Sequence, residues 1–171
     1  FDQLIKRRSK SEPLAYILNE KEFWSKNFYV NDSVLIPRPE TELLVDKILY
    51  HYKNKNNKIN ILDIGTGSGC ILLSILSEIE NAKGIGVDIS SKAIKIALKN
   101  AHKNNLSHKT KFYRRTFDQI NDCKFDLIVS NPPYVSKNEY KNLDNDIKKF
   151  EPKLALDGGN DGLDVIKKVI Y

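Results

Sequence analysis

Apolar positions along this chain follow two alternating rhythms between residues 59 and 130. Short continuous runs, the mark of strands buried on both faces, are separated by segments with helical spacing. Ile59-Asn60-Ile61-Leu62-Asp63-Ile64 reads as a buried strand and Cys70 to Ile79 as an apolar helix. Gly84-Ile85-Gly86-Val87-Asp88 reads as a second strand. Ser90 or Ser91 can cap the next helix, whose inner face is predicted as Ala93, Ile94, Ala97, Leu98 and Ala101. Lys111-Phe112-Tyr113-Arg114 is a weaker strand and residues 125–130 a strong one. Strands separated by helices predict an α/β fold, a mostly parallel sheet with helices on both faces.

Upstream the pattern is different. Leu14 to Leu18, Phe23-Trp24, Phe28-Tyr29-Val30 and Val34-Leu35-Ile36 are short apolar stretches, and Asn31-Asp32 is a turn signal between the last two. They predict a small β-hairpin beside the main sheet. Pro37-Arg38-Pro39 breaks this pattern and leads into a helix expected to bury Leu43, Leu44, Ile48 and Leu49. Pro39 suits its first turn, and Glu40 and Glu42 favour its N-terminal end. Residues 53–58 form a lysine and asparagine loop, and Ser136 to Lys149 a polar loop or short helix.

Composition narrows the class. The 171 residues suffice for one domain with a real core, and 40% apolar with 29% charged residues is ordinary for a globular protein. No apolar run is long enough to span a membrane, and Phe1 to Lys10 lacks a signal-peptide core. Cys70, expected inside a helix, and Cys123, in a polar loop, make no disulfide framework or metal cluster, so no metal is expected and a reducing cytoplasm suits both. The net charge of +6 comes from lysines spread along the whole chain, which reads as solvated surface rather than a nucleic-acid patch. The chain opens on Phe1, contains no Met and ends at Tyr171 inside a helical pattern, so a fragment is expected.

Two loops carry candidate chemistry. Gly65-Thr66-Gly67-Ser68-Gly69 lies between the first strand and its helix. Glycines at alternate positions let the backbone turn tightly and come close to a ligand. A dinucleotide fingerprint would need a sixth-position glycine, and either register meets Cys70 or Leu72 instead. A P-loop would need a lysine after the glycines, and none follows. Asp88 ends the second strand, where an open parallel sheet positions a carboxylate for ribose hydroxyls. Asp63 stands beside the loop. Together these residues point to an adenosine-bearing ligand without a pyrophosphate, and S-adenosylmethionine fits.

The second loop is Asn131-Pro132-Pro133-Tyr134, leaving the strand at 125–130. The Asn131 side-chain oxygen and the Pro132 carbonyl can both accept N–H bonds, and proline has no N–H to donate. Tyr134 can stack on a planar group. The tetrapeptide therefore suits a planar, weakly nucleophilic NH2 group, such as an amide or an aromatic amine.

Three stretches, Leu35-Ile36-Pro37-Arg38-Pro39-Glu40-Thr41-Glu42, Leu62 to Gly69 and Ile128 to Tyr134, resemble the HemK/PrmC family. Glu12 to Ile17, Phe150-Glu151-Pro152, Ala155-Leu156 and Gly162-Leu163 match as well, so the resemblance covers about residues 7–170. It implies a class I S-adenosylmethionine-dependent methyltransferase, Rossmann-like, acting on a glutamine side-chain amide of peptide chain release factors. Residues 1–36 would then be a linker and hairpin, and 37–171 the catalytic domain, with sheet strands beyond the C-terminal end. By resemblance Gly65, Thr66, Gly67, Ser68, Gly69, Asp88, Thr116, Phe117 and Asn131 would bind the cofactor. Asn131, Pro132, Pro133 and Tyr134 would bind the glutamine, with Asn131, Pro132 and Tyr134 catalytic. The Arg38 to Thr41 stretch would lie near the cofactor pocket. Two departures stand out: Arg115-Thr116 replaces an acidic-apolar pair, and Asn19 stands where relatives have glycine. S-adenosylhomocysteine would be the product, the release factor the partner and a cytoplasmic monomer the working form. The runner-up is an amino-directed nucleic-acid methyltransferase acting on adenine N6; a cofactor-binding scaffold without turnover is the third reading.

Overall fold

A computed structural model describes residues 1–52, 58–120 and 124–170, and the side chain of Phe117 is not among the described groups. The expected loop at 53–58, apart from Lys58, and the expected position of Cys123 lie outside the described residues.

The chain opens with two short helices, α1 (Asp2–Arg8) and α2 (Leu14–Leu18). The Arg7 guanidinium pairs with Glu12 just beyond α1. Tyr16 and Ile17 are the buried residues of α2, and the Tyr16 hydroxyl donates to the Val34 carbonyl at 2.6 Å. Asn19 closes α2 in the left-handed region, with φ 54°. That conformation explains the departure from glycine, because asparagine is the usual substitute there.

The hairpin is present, but its turn is not at Asn31-Asp32. Strands β1 (Glu20–Phe23) and β2 (Lys26–Tyr29) pair antiparallel, with Phe23 opposite Lys26. Trp24 and Ser25 make the turn at φ 51° and 52°. Two positive φ values suit the right-handed strand twist, and such turns normally carry asparagine or glycine, so the sequence hid this one. Tertiary contacts hold it: Trp24 N–H donates to Glu42 Oε1 at 2.9 Å and the indole N–H to Glu78 Oε1 at 3.3 Å. Phe23 and Phe28 meet edge to face and are buried in the main core. Asn31 makes a separate turn, accepting from Ser33 N–H at 3.0 Å.

A 3-10 turn (Pro39–Thr41) leads into α3 (Glu42–Tyr52). Val45, Ile48 and Leu49 are its buried residues, whereas Leu43 is exposed, against expectation. The stripe 45, 48, 49, 52 follows the helical repeat, and Leu43 is turned away from it.

The sheet then assembles as β3 (Ile59–Ile64), β4 (Ala82–Asp88), β5 (Thr110–Arg114) and β6 (Leu127–Ser130), all parallel, in the order β5-β4-β3-β6. Helices α4 (Cys70–Glu78) and α5 (Ser91–Lys103) connect the first three strands. Residues of α3, α4 and α5 share one core with Ile59, Ile61, Ala82, Phe112 and Val129, which alternate onto one sheet face. A side chain at Gly84 would meet Leu72 of α4 at 2.5 Å, so helix and strand pack too closely for a Cβ. Ser90 caps α5 by accepting from Ala93 N–H, as predicted. Leu98 is exposed, and the inner face instead takes Ile96 and Asn100. The polar stretch after β6 holds two short helices, α6 (Lys137–Asn142) and α7 (Asn145–Phe150), and α8 (Asp164–Ile170) follows.

Asn100 is fully buried and explains how the hairpin joins the sheet. Its Oδ1 accepts from Tyr29 N–H at 2.6 Å, and its Nδ2 donates to the carbonyls of Tyr29 at 3.0 Å and Ser68 at 2.9 Å. One side chain thus ties β2, α5 and the glycine loop together. Leaving buried polar groups unpaired costs roughly 1–3 kcal/mol each, so Asn100→Ala is expected to destabilise the fold by about 2–4 kcal/mol in urea unfolding. Leu98→Ala on the exposed side of α5 should cost less than about 0.5 kcal/mol. Equal losses for the two variants would contradict this packing.

Candidate active site

The sheet order reverses between β3 and β6, and ligands of open parallel sheets bind at such a point. β3 neighbours β4 on one side and β6 on the other. Its Ile64 pairs with Ser130 of β6, whose hydroxyl donates to the Ile64 carbonyl at 2.8 Å. The glycine loop and the Asn131 segment therefore leave adjacent strand ends.

Gly65, Gly67 and Gly69 have φ 71°, 54° and 80°, which other residues adopt only with strain. The loop is pinned beneath, because the N–H groups of Gly65 and Thr66 both donate to the Val87 carbonyl, at 2.9 and 3.0 Å. Above Gly65 a Cβ would meet nothing within 4 Å, and above Gly67 only the Gly65 carbonyl at 3.9 Å. The outer side of these two glycines is open to a ligand. Gly69 differs: its Cβ would touch Leu73 and Ala97, so it serves the packing of α4 on α5. The side chains of Thr66 and Ser68 point inward, 6% and 3% exposed.

Two carboxylates flank the loop. Asp88 Oδ2 accepts from Gly67 N–H at 3.0 Å and Oδ1 from Ser90 N–H at 2.8 Å. A carboxylate has about four acceptor sites, so two remain for a diol. Burial raises its pKa, and backbone N–H groups of Ser90, Gly67 and Ile89 oppose that rise. Asp63 is 1% exposed. Its Oδ2 accepts from the Thr66 hydroxyl at 2.7 Å, while Oδ1 is buried without a hydrogen-bond partner. Burial pushes this carboxyl up to about 7; the Thr66 bond lowers it and nearby Asp88 raises it further.

On the other side stands Asn131. Its Nδ2 donates to Thr41 Oγ1 at 3.4 Å, which turns the side-chain oxygen away from Thr41. Pro132 and Pro133 are half-buried, and Tyr134 is 62% exposed. The backbone behind Tyr134 is clasped by residues 156–162. Val135 N–H donates to the Leu156 carbonyl and Gly158 N–H to the Val135 carbonyl, at 3.0 and 2.9 Å. A Cβ at Gly162 would sit 2.4 Å from the Tyr134 carbonyl oxygen, and one at Gly158 2.8 Å from its Cα. Neither glycine can be replaced without moving the tetrapeptide. Thr116 follows β5 at the same sheet end, where Arg115 N–H donates to the Asp88 carbonyl at 3.1 Å. Phe117 begins a 3-10 turn (Phe117–Gln119).

The Arg38–Thr41 stretch meets the Asn131 segment through Thr41. A buried carboxylate, Glu151, holds this stretch in place. It accepts from Arg38 at 2.5 Å and from Ile36 N–H at 3.2 Å. Thr41, Glu151 and Gly162 fall within the stretches that resemble the family, which is their only sequence signal, and Gly158 lies outside those stretches. Among the described residues no three His, Cys, Asp or Glu side chains gather as a metal site, and no helix is long and apolar enough to cross a membrane.

The profile of the Methyltransferase small domain family matches residues 39–158. The chain is 48% identical over 169 residues to the release factor glutamine methyltransferase of Buchnera aphidicola subsp. Acyrthosiphon pisum, covering 99% of this chain and 60% of that protein. It is 45% identical over 167 residues to the protein of that name from Buchnera aphidicola subsp. Baizongia pistaciae, covering 98% of this chain and 59% of the relative. The chain thus spans about three fifths of the length of these curated relatives. Among solved structures, the hMettl16 catalytic domain in complex with the MAT2A 3'UTR hairpin 1 matches with a TM-score of 0.65 at 19% identity, over 92% of this chain and 58% of that one. That likeness is one of fold.

Asp63 gives the site a pH signature. An unfolded aspartate titrates near 3.9, so between about pH 4 and 7 the folded protein binds the extra proton. Stability from this group is therefore greatest below pH 4 and falls as pH rises to about 7. Urea unfolding across that range should show a downward slope that Asp63→Asn reduces. Parallel curves for the two proteins would refute the assignment.

Proposed function

The chain belongs to the Methyltransferase small domain family and has a Rossmann-like class I methyltransferase fold, and we propose that it carries out S-adenosylmethionine-dependent methylation of a glutamine side-chain amide nitrogen in a peptide chain release factor. The observation that carries this reading is the arrangement of Asn131, one residue beyond the end of β6 and beside the end of β3 that leads into the glycine loop, with its NH2 toward Thr41. The names and 45–48% identity of the two Buchnera relatives support the choice of substrate. A release factor substrate would put the enzyme in the cytoplasm, where translation ends.

S-adenosylmethionine fits the residues present. Open backbone at Gly65 and Gly67 leaves room for its methionine and ribose part. Asp88 has acceptor sites remaining for both ribose hydroxyls. The unpartnered Asp63 Oδ1 can take a hydrogen bond or respond to a cation. Thr116 and Phe117, beyond β5, are assigned to the adenine side. When bound, the cofactor supplies an electrophilic methyl group on a sulfonium, and S-adenosylhomocysteine remains.

The acceptor residues work by orientation. Asn131 Oδ1 and the Pro132 carbonyl accept the two N–H bonds of the glutamine amide, which fixes the direction of its nitrogen lone pair. Pro132 and Pro133 offer no competing N–H. The exposed Tyr134 ring covers the planar amide. An amide nitrogen is barely basic, so no strong general base precedes attack. The acceptors instead favour the positive charge that develops on nitrogen, and the surplus proton then leaves to water.

Asn131→Ala should lower methylation of a release factor by about a hundredfold or more. Calorimetric titration of the same variant with S-adenosylmethionine should still show binding, weakened by no more than about tenfold and so far less than methylation, because the glycine loop and Asp88 remain. Near-normal turnover would refute the assignment.

A further inference from the structure

We infer that Glu151 is a positioning residue for the acceptor: its buried carboxylate sets the spacing between the Pro39–Thr41 turn and the Asn131-Pro132-Pro133-Tyr134 stretch. This rests on the proposed role of Asn131. The two segments touch where Thr41 meets Asn131 at 3.4 Å, a loose contact that cannot fix their spacing by itself. Glu151 makes the firmer tie. Its side chain is 2% exposed, and both oxygens are engaged: Oε1 accepts from Arg38 Nη2 at 2.5 Å and Oε2 from Ile36 N–H at 3.2 Å. A carboxylate paired with a guanidinium can only accept, and a guanidinium or a backbone N–H can only donate. Each bond therefore has one sense, and rotating a side chain cannot reverse it. The neighbouring Tyr16 hydroxyl does not compete, since it donates to the Val34 carbonyl at 2.6 Å.

Fixing Arg38 fixes the turn. Pro37 and Pro39 restrict φ on either side of it, and Thr41 N–H donates to the Arg38 carbonyl at 3.0 Å. The same segment that carries Glu151 grips the tetrapeptide further on. The Leu156 carbonyl accepts from Val135 N–H at 3.0 Å, Gly158 N–H donates to the Val135 carbonyl at 2.9 Å, and the Gly159 carbonyl accepts from Lys137 N–H at 3.0 Å. Pro152 and a 3-10 turn (Lys153–Ala155) stiffen the chain in between. Residues 151–159 thus form a brace from the Arg38 turn to the backbone just beyond Tyr134. The glycine loop is held by other groups, the Val87 carbonyl, Asp88 and Asn100. The brace therefore acts on the acceptor side and leaves the cofactor side alone.

Removing one partner of a buried ion pair strands a charge and can unfold a protein, whereas replacing both by neutral groups often leaves stability intact. The test variant is therefore the double Arg38→Met/Glu151→Gln: glutamine keeps an acceptor for Ile36 N–H and methionine keeps the packing of the arginine stem. In the full-length protein, with a release factor as substrate, it should lower kcat by about tenfold to a hundredfold, the scale of a misplaced reacting group. Its calorimetric dissociation constant for S-adenosylmethionine should change by less than about threefold. Hydrogen exchange should quicken in residues 36–42 and 131–137 and stay unchanged in 65–69. Read well below each melting temperature, that pattern decides the matter even if the double variant is less stable. Normal kcat in the double variant, or unchanged exchange in 36–42, would overturn the inference. So would an equal loss of kcat and cofactor affinity, the mark of general loosening. Asn131→Ala separates the two levels: normal turnover there removes the reading beneath, whereas an inactive Asn131→Ala beside a normal double variant sinks the role of Glu151 alone.

Discussion

Two parallel strands that end side by side determine everything at this site. β3 and β6 are neighbours in space although Ile64 and Ser130, which pair at their ends, lie 66 positions apart in the chain; the Ser130 hydroxyl donates to the Ile64 carbonyl at 2.8 Å. A parallel sheet sends all its loops out at one end, and a reversal of strand order leaves a crevice there. One loop brings three positive-φ glycines, of which Gly65 and Gly67 have an open outer side. The other brings a polar amide followed by two residues without N–H. Neither loop would form a site alone.

The surrounding chain keeps those loops rigid. Below the glycine loop, Asn100 binds Ser68 and the hairpin strand together. Behind the tetrapeptide, Gly158 and Gly162 leave no space for a side chain against Tyr134. Glu151 holds the Ile36–Arg38 stretch, from which Thr41 reaches Asn131. Positioning of this kind matters most for chemistry with a weak nucleophile, where orientation must do the work that basicity does elsewhere. Segments before the sheet and after β6 thus contribute to a site whose obvious motifs lie within the sheet.

Much of the frame was legible because burial leaves a pattern. The strand at Ile59–Ile64 carries a continuous apolar run, and its boundaries were read correctly. The helix cap has a local cause, and of the two serines the sequence offers, Ser90 and Ser91, it is Ser90. The hairpin turn was misplaced because Trp24 and Ser25 adopt positive φ without the residues that usually signal it, held there by distant Glu42 and Glu78. Leu43 and Leu98 were assigned inward on hydrophobicity alone, yet helix rotation is set by the neighbours each face meets. Thr66 and Ser68 lie in the expected loop, but alternate side chains of a tight loop must turn down as the glycines open up. Contacts such as Thr41 with Asn131 or Arg38 with Glu151 have no local signature, since they depend on how the whole sheet is wound.

The central claim is that the acceptor held at Asn131 is a glutamine amide. It is tested most directly by mass spectrometry of a release factor and a DNA duplex, each incubated with the full-length protein and methyl-labelled S-adenosylmethionine. The account predicts one methyl group on the side-chain nitrogen of a single glutamine and an unlabelled duplex. Label on the amino group of adenine, with the release factor unmodified, would contradict it.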